Sequence, residues 1–125
     1  MTAWTDDELS RIEGADELEI SPLDGNGKPG KATTIWVVRD GDDLYVRAYR
    51  GRGGVWFRAA TAHHEGRISS GGVTKHVSLS EADDPALGER LDAAYRSKYG
   101  HYSAAYLDPM VAENARDATL RLLPR

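Results

Sequence analysis

The chain has 125 residues, 16 Lys and Arg against 20 Asp and Glu for a formal net charge of −4, and no cysteine. That length suits one domain with a real hydrophobic core, and the lack of thiols excludes disulfides, thiolate catalysis and cysteine-ligated zinc or iron–sulfur centres. An acidic balance, with a pI of about 5.5, argues against bulk nucleic-acid binding, which needs a basic surface.

The start, MTAWTDDELSRIEG, is acidic and lacks the basic end and apolar run of a signal peptide. No apolar stretch approaches the roughly 20 residues of a membrane helix, so a cytoplasmic protein with no membrane or nucleic-acid partner is expected. Thr5-Asp6-Asp7-Glu8 reads as a capping box opening a short helix that ends in a left-handed residue at Gly14. Leu18-Glu19-Ile20 is a short strand stopped by Ser21-Pro22. The segment from Asp24 to Lys31 holds three Gly and one Pro in eight residues and must be a loop.

Thr33 to Arg39, β-branched and aromatic, predicts a buried strand. An Asp40-Gly41 turn joins it to Leu44–Tyr49, where Leu44, Val46 and Ala48 face one way and Tyr45, Arg47 and Tyr49 the other. Further strands are predicted at Trp56–Thr61, Gly66–Ser70 and Val73–Leu79, the last two joined by a tight Gly71-Gly72 turn. Asp83-Asp84-Pro85 then opens a helix with Leu87, Leu91, Ala94 and Tyr95 on one face, ended by Gly100. A looser helical piece spans Leu107 to Ala115, and Ala118 to Pro124 forms a last strand that returns to the sheet. Strands outnumber helices, so a mainly β, α+β architecture follows: an antiparallel barrel flanked by a few α-helices.

Between Arg47 and Gly54, three arginines and three glycines fall within eight residues. Glycines let the backbone approach a ligand closely, and arginines grip phosphate or carboxylate through paired N–H groups. The competing reading is a solvated hairpin loop whose arginines pair with Asp42 or Asp43. Lys28, Lys31, Thr33 and Thr34 make a second donor group at a strand entry, or else ordinary loop lysines and strand threonines. Trp36, Trp56 and Tyr49 offer aromatic faces for stacking, although strand tryptophans more often fill a barrel core, where Trp36 is expected. His63, His64 and His76 show no metal-ligand pattern, since adjacent strand histidines point to opposite faces. His64 or Arg67 in a substrate pocket is the more reasonable use. Tyr95, Tyr99, Tyr102 and Tyr106 follow a 4-3-4 spacing, which reads as a packing or dimer stripe interrupted by Gly100. No nucleophile elbow or phosphate-binding loop motif is present.

Lys28-Pro29-Gly30-Lys31, the Asp-Gly hairpin, LYVRAYRG, the W-F-R-A-A segment and the Gly66-Arg67-Ile68 strand resemble the split β-barrel flavin- and deazaflavin-binding proteins. These include the pyridoxamine-phosphate-oxidase-like proteins and the F420-dependent nitroreductases. Over nearly the full length, TTIWVV, LYVRAYRGRGGVW, AAYRSKYG and TLRLLP are similar to DUF2255, a family of small bacterial proteins.

The resemblance implies a split antiparallel barrel. It also implies a homodimer with FMN or F420 at the dimer interface, and reduction of a small organic molecule in which the cofactor carries the hydride or electron step. The basic loop at Lys28 and Lys31 would contact the cofactor tail or phosphate, beside the Thr33 and Thr34 hydroxyls of the donor group. Arg47, Tyr49, Arg50 and Gly51 match the turn that wraps it. Trp56 and Ala59 match the family's W-x-x-N-L segment, with Ala59 standing where the family has Asn. The usual Ser-Gly-Gly turn is displaced here to Gly51-Arg52-Gly53-Gly54. A member that lost the cofactor and kept the barrel as a ligand- or protein-binding module is the alternative.

Overall fold

The computed structural model describes residues 3–82 and 84–125, so Asp83 of the predicted helix start lies outside the described residues. Helix α1 (Asp6–Glu13) opens with the expected capping box: Thr5 Oγ1 accepts from Glu8 N–H, and Glu8 accepts from Thr5 N–H. Gly14 ends it in a right-handed conformation, φ −78°, so the predicted left-handed cap does not form.

Seven strands follow: β1 (Leu18–Pro22), β2 (Thr33–Ile35), β3 (Val38–Asp40), β4 (Asp43–Arg47), β5 (Glu65–Ser70), β6 (Val73–Glu81) and β7 (Thr119–Pro124). They form one antiparallel sheet in the order β2-β1-β5-β6-β7-β4-β3, curled into a half-barrel. The β5–β6 hairpin turns at Gly71 and Gly72, at φ +58° and +83°. Gly71 is also pressed against α1, where a Cβ would meet Arg11 O at 2.3 Å.

The predicted strand Thr33–Arg39 is broken in two, and its halves sit at opposite edges of the sheet. The break lies at Trp36-Val37, and the cause is a competing set of partners. Val37 N–H donates to Tyr99 Oη at 3.1 Å, while Val37 O accepts from Lys98 Nζ at 2.9 Å and from Tyr99 Oη at 3.1 Å. A backbone unit already satisfied by side chains has no need of a neighbouring strand.

The stretch Trp56–Thr61 is a second correction. It lies in a helix, α2 (Val55–His63), entered through a 3-10 turn at Gly51–Gly53 and ended by His64 in the left-handed region, φ +55°. Its aromatics suggested a strand, but Phe57 and Ala60 are the buried pair, and that three-residue spacing is helical. Three alanines within the nine residues favour the same outcome.

Two cores result. Inside the curl, Leu18, Ile20, Leu44, Val46, Ile68 and Leu120 pack with Leu9 and Ile12 of α1 and Phe57 of α2. On the outer side, Val38 and Tyr45 pack under α3 (Pro85–Tyr99) and α4 (Ala104–Val111) through Leu91, Tyr95, Tyr99 and Met110. Strand β4 lies between them, so its predicted alternation holds while both of its faces are buried. The predicted helix Leu107–Ala115 starts earlier and is divided at Ala112, whose extended ψ of 160° separates α4 from α5 (Glu113–Arg116).

Candidate functional site

The end of β4, the edge strand β2, the start of α2 and helix α4 surround a cleft of about 760 Å³, within the usual range of small-ligand and cofactor sites. Of the residues singled out in the sequence, Lys31, Thr33, Thr34, Arg47, Tyr49, Arg50 and Trp56 line it, and so does Trp36. Lys28, Gly51 and Ala59 do not. The amides of Asn26 and Lys28 donate to the Asp24 carboxylate at 2.8 and 2.9 Å, closing the loop on itself. Gly51, at φ +75°, is buried against Asn114 and serves the turn. Ala59 is exposed on α2.

The three arginines of the loop have three different fates. Arg47 is wholly buried and forms a 2.5 Å ion pair with Asp92 of α3. It also donates to Met110 O at 3.0 Å, Gly88 O at 3.0 Å and Thr119 Oγ1 at 3.2 Å. Its guanidinium is committed to these partners, although the residue also lines the cleft. Arg52 is drawn away to Glu81, at 2.6 Å. Among the described residues Arg50 has no carboxylate partner; its Nε donates to the exposed Tyr49 hydroxyl at 3.0 Å. The competing reading's pairing with Asp42 is not made by the loop arginines; Asp42 lies 4.0 Å from Arg39 instead.

Arg50 and Lys31 are therefore the cations left for an anion in the cleft. Beside them, α2 begins at Gly54, which has no side chain to cap the first amides. Those N–H groups and the helix dipole add positive potential at the same wall. Trp36, expected in the core, is only partly buried: it stacks on Tyr99 at 4.0 Å and 1° while lining the cleft. Trp56 meets Phe57 edge-on at 5.9 Å and also lines it. Among the described residues no Asp, Glu or His lines the cleft, so their side chains offer charge, hydroxyls and flat apolar surface rather than an acid–base pair.

The far wall was not legible beforehand. It consists of Ala105, Tyr106, Pro109 and Met110 of α4, of which only Tyr106 carried any signal, as the last member of the tyrosine stripe. That stripe divides: Tyr95 and Tyr99 are buried, whereas Tyr106 is 66% exposed and, like Val55 at 84%, lines the cleft. The histidines lie elsewhere: His64 Nδ1 is 3.2 Å from Leu79 O, and neither His64 nor Arg67 lines the cleft. Among the described residues no group of three His, Asp or Glu is placed to hold a metal, and no helix is long and apolar enough to cross a membrane.

Residues 8–122 match the model of a family described as an uncharacterized protein conserved in bacteria, DUF2255. No curated protein matches the chain. Three solved structures place the fold. A pyridoxamine 5'-phosphate oxidase candidate from Listeria innocua is similar at TM-score 0.66 and 14% identity, over 96% of this chain and 92% of that one. A FAD-binding protein from Mesorhizobium loti is similar at TM-score 0.62 and 14% identity, over 99% and 92%. An F420 reductase is similar at TM-score 0.55 and 13% identity, over 93% and 90%. Identities this low speak for the fold alone, the split barrel.

Proposed function

We propose that this chain, which belongs to the DUF2255 family, holds a flavin or deazaflavin nucleotide, FMN or F420, in the cleft and with it reduces a small organic substrate. The observation that carries the reading is the sorting of charges: Lys31 and Arg50 face a cleft lined by Trp36 and Trp56 and, among the described residues, by no carboxylate. A planar, anionic, aromatic ligand suits such a lining. Arg50 and Lys31 would neutralise its phosphate or carboxylate tail, Thr33 and Thr34 would donate hydroxyls, and the tryptophans would bound the ring. The volume is adequate for such a group. When bound, the cofactor supplies the hydride or electron step; the protein binds it, orients it and excludes water. The exposed rim residues Val55, Tyr49 and Tyr106 support a second copy of this chain as the cover of the cleft.

A non-enzymatic ligand-binding module is the second reading, and one observation favours it. Arg47 and Ala59, two positions carried over from the cofactor-binding families, offer the cleft no free polar group. Titration of the purified protein with FMN and with F420, followed by cofactor fluorescence, separates the two. Binding tighter than about 100 μM, roughly −5.5 kcal/mol, supports the redox reading, and the absence of binding by both removes it.

A further inference from the structure

We infer that Arg47 is a positioning residue of the cleft: through Asp92 and Met110 it sets where the α4 wall stands relative to β4 and α2. Only the affinity arm of this inference rests on the reading of the cleft as a cofactor site. The geometric arm is independent of it.

Helix α4 is held lightly by its own packing, with Leu107 and Val111 only partly buried against the outer core. Met110 alone among its eight residues is buried, Ser103 forms no side-chain cap, and Pro109 removes a backbone donor inside the helix. Its leading end is braced by Tyr102, which is tilted against Trp36 at 5.3 Å. Its trailing end is held at the Met110 carbonyl, and the group holding it is Arg47.

One guanidinium thereby joins four elements. It takes Asp92 and Gly88 of α3, Met110 of α4 and Thr119 of β7, from its own place on β4. It also lies over the Tyr95 ring, 5.3 Å from the centroid. Asp92 is shared: its second oxygen accepts from Arg116 of α5, which fastens the chain just beyond α4 to the same carboxylate. Ala105, Tyr106, Pro109 and Met110, the cleft-lining face of α4, are therefore tied to a charged hub on α3 and β4 in addition to the packing of Leu107, Met110 and Val111. A planar fork with five N–H donors can span such a set, whereas a lysine ammonium offers donors from a single point.

The chain lacks cysteine, so spin labels at Ala62→Cys and Asp108→Cys, exposed positions on α2 and α4 outside the cleft, report the distance across it. In the unsubstituted background a single narrow distance distribution is expected. Arg47→Lys retains the buried charge but not the fork, and should broaden the distribution or add a second distance while the far-UV spectrum stays that of the parent. Arg116→Met, made on a half-exposed side chain, should broaden it less. FMN or F420 affinity should fall about tenfold or more in Arg47→Lys, as expected when a binding wall loses its position.

Distributions superimposable on the parent in both variants would overturn the inference, even if thermal stability falls. If Arg47→Lys does not fold, the Arg116→Met distribution decides alone. If the unsubstituted protein binds neither cofactor, the functional reading fails, and the distance data still settle the role of Arg47.

Discussion

Arg47 and Arg50 stand three residues apart on one segment and both line the cleft, but the groups around them differ. The first has 1% of its surface exposed and is enclosed by Asp92, Gly88, Met110 and Thr119. The second sits in the turn after β4, with a tyrosine hydroxyl as its only side-chain hydrogen-bond partner among the described residues. Strand alternation aims Arg47 at the face that α3 covers, so its charge needs an ionised partner brought by that helix. The chain has already left the sheet at Arg50, where water meets the need. Two arginines of equal appearance in the sequence thus divide the labour: one builds the wall of the cleft, the other is left free to meet what enters it.

Removing the partner of the buried member tests that division most severely. Asp92→Ala leaves Arg47 and Arg116 without their shared carboxylate. A loss of about 3–5 kcal/mol is expected in urea denaturation; a loss below about 1 kcal/mol would mean that the hub is not a stability determinant.

Arg50→Ala should do the reverse. Its midpoint of unfolding should match that of the parent protein, while FMN or F420 affinity drops at least about tenfold through loss of a charge-assisted contact. Equal affinity would move the anion subsite to Lys31.

Lys98 is intermediate between these extremes, a half-buried cation resting on the Val37 carbonyl. Burial lowers its pKa from the ordinary 10.5 to about 8. Above pH 8 the unfolded chain then holds more protons than the folded one, so stability should rise with pH. The rise should end near pH 10.0, the ordinary tyrosine value, because Tyr95 and Tyr99 are pushed upward by burial and the unfolded chain ionises first. Chemical denaturation from pH 8 to 10 should show a shallow rise that Lys98→Met abolishes; an unchanged slope in the variant would assign the rise to another group.

The smallest effect is expected at Arg52, whose pair with Glu81 is exposed on both sides. Arg52→Ala should alter stability only slightly and cofactor affinity not at all. Any loss of affinity there would blur the distinction drawn between Arg50 and its neighbours.

Local signals in the sequence were sufficient for local structure. Thr5 and Glu8 close their capping box within one turn, Gly71 and Gly72 form the β5–β6 hairpin, and Asp84-Pro85 opens α3. The resemblance carried by TTIWVV and LYVRAYRG extended this to the split barrel. Where reading by composition failed, a distant partner was responsible. Val37 breaks its strand for Tyr99, 62 positions away. The aromatics of α2 look strand-like until Phe57 and Ala60 are placed inside the curl. The cleft was half legible: Lys31, Thr33, Thr34, Tyr49, Arg50 and Trp56 were named from the chain, whereas the α4 wall was not.

By itself the sequence determined what this protein is made of: its capped helices and hairpins, its lack of thiol chemistry, and a stretch in which arginine and glycine are dense. Tertiary structure alone decided which arginine is enclosed by partners and which is left at the open cleft. The reason is physical, because a charge is free or committed according to what packs against it. Asp92, which commits Arg47, lies 45 residues further along the chain, where no local pattern announces it.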